Sequence, residues 1–127
     1  MSIENTDYRM TGRVYISDAN RIPQQIRERM ENIRMYDDGS IMVKTSMRTQ
    51  LKEDRQKSFD LSIRSVMDEM DGFEIMNLVD AALDEFSEIL ISLSPHDGQA
   101  GVVVDTSCYD WLRKNQVYLS FDVLRGA

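Results

Sequence analysis

Apolar positions recur along the chain with two periods, and each change of period marks a new element. In residues 13–17, Val14 and Ile16 alternate with polar neighbours, the period-two pattern of a first strand. Ser17, Asp18 and Asn20 then offer capping oxygens, and Pro23 suits a first helical turn. Ile22, Ile26, Met30 and Ile33 follow at spacings of 4, 4 and 3, which predicts an amphipathic helix closed by the Asp37-Asp38-Gly39 turn signal. Residues 40–46 return to alternation, with Ile41 and Val43 on one face of a second strand.

Helical spacing resumes from about Arg48 to Met70, where Phe59, Ile63, Val66 and Met70 form a stripe and Gly72 supplies a break. Beyond it, Ile75, Val79, Ala82, Phe86, Ile89 and Leu93 fall at spacings of 4, 3, 4, 3 and 4, predicting a third and central helix over 73–93. Residues 94–101 read as a loop, and Val102–Val104 as a short buried strand. A brief helix follows around Tyr109–Lys114, capped by Thr106 or Ser107. Val117, Leu119, Phe121 and Val123 then alternate with Tyr118, Ser120 and Asp122 in the cleanest strand of the chain. The fold expected is α+β: a flexible arm over 1–10, then one domain over 11–127. About four short strands form one sheet, packed against a long helical hairpin that turns at Gly72.

Charge adds direction to this picture. Residues 1–64 hold 12 Lys/Arg against 10 Asp/Glu, and residues 65–127 hold 3 against 12, so the halves carry +2 and −9 and the whole −7. No basic residue lies between Arg64 and Arg113. Such a balance opposes binding to duplex nucleic acid, which needs a basic face. The arrangement predicted for the hairpin sets Arg64 near Asp80 and Arg55 near Glu88, so that the basic half of the chain meets the acidic half inside the fold. Exposed pairs of that kind contribute about 0–1 kcal/mol each and set alignment more than stability.

Candidate chemistry is sparse. Cys108 sits at a helix N-terminus, where a thiol can be activated, with His96 the only histidine available as its base. One His and one Cys cannot build a structural zinc site. An EF-hand register on Gly72 places Met67 and Leu78 at the two key ligand positions, so neither metal nor cofactor is expected. The start of the chain has neither the basic nor the apolar run of a signal peptide, no run spans a bilayer, and one cysteine cannot form an internal disulfide. These features predict a cytoplasmic protein that does not enter membranes.

The expected function is that of a small acidic binding protein (a regulator, inhibitor or chaperone) acting on another protein, with a basic one as the candidate, and assembling as a homo-oligomer. Asp80, Asp84, Glu85 and Glu88 are its candidate contact residues. Trp111, the only tryptophan, is expected to anchor its short helix against the sheet or a second subunit, with its N–H hydrogen-bonded or at the solvent edge. The alternative is an oligomer that sequesters a small anion such as a nucleotide. Its phosphates would meet Arg27, Arg29, Arg34, Arg48 and Arg55, and its base would stack on Tyr109, Tyr36 or Trp111.

Overall fold

A computed structural model describes residues 6–49, 54–95 and 102–124. Its centre is a pair of long antiparallel strands, β1 (Thr6–Ile16) and β5 (Phe86–Pro95), in register over ten positions from Thr6↔Pro95 to Tyr15↔Phe86. Around them the sheet runs β2-β3-β1-β5-β6, with β2 spanning Ile33–Met35, β3 Ile41–Lys44 and β6 Val117–Val123. A further short strand, β4 (Arg48–Thr49), also pairs with β1. Three residues, Thr45–Met47, separate β3 from β4 while only Thr11 and Gly12 separate their partners on β1, so the strand bulges there. All pairings are antiparallel except β5 with β6, which is parallel and crosses over through α3 (Ser107–Lys114).

Every helix packs on one face. The stripe Phe59, Ile63, Val66 and Met70 on α2 (Arg55–Phe73) is buried against Tyr8, Met10 and Val14 of β1 and Ile89 and Ile91 of β5. Burial of each such side chain contributes about 1.5–3 kcal/mol. The close approach requires Gly12, because a Cβ there would lie 2.5 Å from Met70 Sδ and 2.8 Å from Val66 Cγ1. Cys108 and Leu112 of α3 and Ile22 beside α1 (Gln24–Arg27) join the same core. The fold is thus a small mixed α/β domain with a six-stranded sheet and, among the described residues, three α-helices.

Several expected elements differ. The central helix over 73–93 does not form, and with it goes the helical hairpin. The segment makes two 3-10 turns, Met76–Leu78 and Ala81–Leu83, and then β5. Asp80 accepts the Ala82 N–H and Asp84 adopts a left-handed conformation (φ 58°), local bonding that competes with helix continuation. From residue 87 on, Ser87, Ile89, Ile91, Leu93 and Pro95 are buried alternately, a period of two that the 4-3-4-3-4 spacing overlies. Extending the strand also removes the repulsion that a helix would place between Asp80, Asp84 and Glu88.

The helix expected after Pro23 stops at Arg27, and Ile33 belongs to β2. The Asp37-Asp38-Gly39 signal is the loop of a β2–β3 hairpin, with Gly39 at φ 87° and Asp38 accepting from Ser40 N–H and Oγ. β1 begins at Thr6, so residues 6–10 of the stretch read as an arm are sheet; residues 1–5 lie outside the described residues. Val102–Val104 forms no strand. The sheet therefore has six strands and not four. The helix over 107–114 and the strand over 117–123 form where the pattern placed them.

Candidate functional site

With every described helix on one face, the other face of the sheet carries none among the described residues. Side chains alternate along a strand, and the register of β1 sends Tyr8, Met10 and Val14 to the core and Arg9, Thr11, Arg13 and Tyr15 to the open face. Cross-strand pairing adds Arg34 of β2, Lys44 of β3, Phe86, Glu88 and Leu90 of β5, and Tyr118 and Asp122 of β6. Tyr15 and Phe86 stack at 5.6 Å between ring centroids, and the Arg13 guanidinium lies 5.8 Å from the Phe86 centroid. Arg13 pairs with Glu88, which also accepts from Ser120 Oγ at 2.8 Å. Arg34 sits 5.2 Å from the Tyr36 ring. Four cations (Arg9, Arg13, Arg34, Lys44) and three anions (Asp7, Glu88, Asp122) thus share this face. On a chain of net charge −7, the open face is locally basic.

A second feature adjoins it. A groove of about 650 Å³ opens between α3 and the first residues of β5 and β6, lined by Val79, Phe86, Tyr109, Leu112, Arg113 and Tyr118 among others. Arg113 has no ion-pair partner among the described residues, and it brings one cation to a wall that is aromatic and aliphatic apart from Glu85 and Gln116.

The predicted acidic contact set does not assemble. Glu85 is buried at the end of β1, where it accepts from Ser17 N–H and Oγ, both at 2.8 Å, from Asp80 N–H at 3.0 Å and from Arg21. Burial pushes its pKa up, but these four donors outweigh burial and hold it down to about 2. Arg21 also donates to the Leu78 carbonyl at 2.6 Å, so the cluster clasps the first strand to the 75–85 segment. Glu88 is on the open face, while Asp80 and Asp84 are exposed on the turn before β5.

The predicted arginines do not converge either. Arg29 pairs with Glu74 at 2.8 Å, Arg48 with Glu69 at 3.2 Å and Arg55 with Asp7 at 3.2 Å. Arg27 lies on α1 and Arg34 on the open face, away from Tyr109 in the groove. Arg64 pairs with Asp105 at 3.0 Å, in place of the Asp80 expected from a hairpin. Nevertheless, five of the six ion pairs (all but Arg55–Asp7) join residues 1–64 to residues 65–127, so the basic half does meet the acidic half.

Trp111 is half-buried against the core, and its indole N–H donates to the Asp71 carboxylate at 3.1 Å, tying α3 to the end of α2. Cys108 is buried, and burial together with the nearby Asp105 pushes its thiol pKa up, the opposite of an activated nucleophile. Asp105, on the residue before Thr106, accepts the Ser107 N–H at 3.1 Å and does the capping. Of the stretch 94–101 expected as a loop, Ser94 and Pro95 belong to β5, and residues 96–101, His96 included, lie outside the described residues. Among the described residues no group of three or more His, Cys, Asp or Glu side chains could hold a metal ion, and no helix is long and apolar enough to cross a membrane.

Sequence reasoning missed the open face. Its signal is present, since Arg9, Thr11, Arg13 and Tyr15 alternate with Tyr8, Met10 and Val14, but the first half of that run falls within the polar stretch expected as an arm. Comparison of the chain with protein-family models, curated proteins and solved structures finds no match.

Proposed function

We propose that this chain is a non-enzymatic cytoplasmic binding protein that works by occupying another protein and assembles as a homo-oligomer. The observation that carries the reading is the sheet face on which no described helix packs, where Tyr15, Phe86 and Tyr118 stand among Arg9, Arg34 and Lys44. Tyr and Arg are the residues most enriched at the centres of protein interfaces. Charge decides the partner's chemistry. Glu85 is consumed by its clasp and Glu88 by Arg13. Although Asp80 and Asp84 stay exposed on the turn before β5, the open-face cations that make no ion pair among the described residues favour an acidic protein surface over the basic partner expected from the sequence. Complementarity of this kind mainly speeds association and selects the partner.

Affinity capture with the double variant Arg9→Glu/Arg34→Glu tests this directly. Neither residue makes an ion pair among the described residues, so the fold should survive. Binding of an acidic partner held by the wild-type protein should fall at least about tenfold, the equivalent of about 1.4 kcal/mol. Equal capture by both proteins would sink the reading.

A second reading is favoured by the groove, whose volume suits a drug-sized ligand. An anion could meet Arg113 there while a planar ring stacks on Tyr109. Saturable thermal stabilisation by one member of a nucleotide panel, lost in Arg113→Ala, would support it; a flat panel would leave protein binding ahead.

A further inference from the structure

Strand β6 ends the sheet, and among the described residues no strand pairs with its outer side. We propose that two copies of this chain join along β6, antiparallel, about a two-fold axis passing through Ser120. The inference rests on the reading of the chain as an oligomeric binding protein and names the surface by which it self-associates.

The backbone is correctly presented for this. Leu124 N–H donates to the Leu93 carbonyl at 2.8 Å, so even-numbered residues here turn their polar backbone groups toward β5. Strand geometry alternates, which leaves the N–H and C=O of Val117, Leu119, Phe121 and Val123 directed outward. An antiparallel copy centred on Ser120 sets Val117 opposite Val123 and Leu119 opposite Phe121. These are the outward-facing residues, so each such couple exchanges two hydrogen bonds. Ser120 meets its own symmetry mate as a non-hydrogen-bonded pair.

The side chains match in the same register. On the core face the couples are Val with Val and Leu with Phe, aliphatic and aromatic contacts that stabilise paired strands. On the open face Tyr118 lies opposite Asp122, so the only charged side chain of β6 meets a hydroxyl donor and not a second carboxylate. Centring on Asp122 would bring two carboxylates together, and centring on Leu119 or Phe121 would pair only five residues of each strand.

Burial completes the argument. On the core-facing side it falls along the strand, from Val117 at 7% exposure to Phe121 at 47% and Val123 at 51%. The two-fold lays that uncovered end beside Val117 and Leu119 of the other copy, the end packed against α3. Edge strands that must stay single carry charged side chains, above all lysine, or proline or a bulge; β6 has no lysine or proline, and its single charge, Asp122, meets Tyr118 in this register. Two seven-residue edges about 23 Å long bury on the order of 1,000 Å², at the lower bound for a specific interface, so dimer and monomer should exchange with concentration.

The test is cysteine cross-linking combined with light scattering. A non-hydrogen-bonded pair has Cα atoms about 4.5 Å apart, within disulfide reach. Ser120→Cys should therefore form, under mild oxidation, a disulfide-linked species of twice the 14.7 kDa chain mass. The wild type, whose lone cysteine is buried, should remain unlinked. Wild-type protein should show a concentration-dependent dimer that Phe121→Lys weakens at least tenfold, with an unchanged circular dichroism spectrum because Phe121 is exposed. A wild-type protein that stays monomeric at about 100 μM, or a dimer indifferent to Phe121→Lys with no cross-link in Ser120→Cys, overturns the proposal. Loss of partner capture in the Arg9→Glu/Arg34→Glu variant would leave these masses and cross-links unchanged, so the two readings fail separately.

Discussion

Glu85 is the residue on which the acid stability of the fold turns. Its carboxylate is buried with four donors, and its pKa falls from an ordinary 4.5 to about 2. A carboxyl whose folded pKa is depressed stabilises the fold fully above its unfolded pKa and loses that contribution as pH falls through the folded one. The window therefore runs from about 4.5 down to about 2, and the contribution at neutral pH is on the order of a few kcal/mol. Glu85→Gln keeps the shape but leaves Arg21 without its counter-charge, at a cost of about 2–4 kcal/mol. Denaturant unfolding of both proteins at pH 7 and pH 3 checks this: the wild type should lose stability on acidification, and the gap between the two should narrow. A constant gap would mean that Glu85 is not the titrating group. Its acidity was visible in the chain, but its burial was not, because the four donors come from residues 17, 21 and 80, far apart in sequence.

At the scale of elements, what was legible was whatever depended on local periodicity alone. The stripe on α2 and the alternation of β6 each repeat cleanly, and both elements form. Even so, α2 begins at Arg55 and not near Arg48 as the spacing predicts, Arg48 and Thr49 belong to β4, and the helix runs through Gly72 to Phe73. The segment 75–93 failed for a physical reason: Ile89 and Leu93 satisfy a helical stripe and a strand face at once. Only the ten-position pairing with β1, a contact between residues some 80 apart, decides between them. That pairing also explains Gly12, which sequence reading passed over. It lies mid-strand, where glycine is ordinarily unfavourable, and the reason is α2 resting on it. Gly12→Ala would drive a methyl into Val66, a β-branched side chain with little freedom to turn, and into Met70. The expected cost is about 1–3 kcal/mol. Shortening Met70 in the Gly12→Ala background should cost less than shortening it alone, a coupling measurable by a double-mutant cycle in urea.

Across the whole molecule, charge has two jobs that one titration can separate. Five ion pairs hold the basic first half of the chain against the acidic second half, yet most involve partly exposed side chains, and such pairs contribute little. The exception, Arg21 with Glu85, is shielded from solvent on its acidic side and hardly feels added salt. Salt also relieves the self-repulsion of a net charge of −7, which offsets part of any loss. Raising NaCl from about 0.05 to about 0.5 M should therefore move Tm by less than about 3 °C. The open face behaves differently, because its cations act on a partner through solvent across a distance that the Debye length controls, from about 14 Å down to about 4 Å over that range. Association with an acidic partner should slow by an order of magnitude or more in the same titration, while dissociation changes little. A fold that melts with rising salt would place the stability of the molecule in its surface pairs. An association rate indifferent to salt would remove the open face as the steering surface.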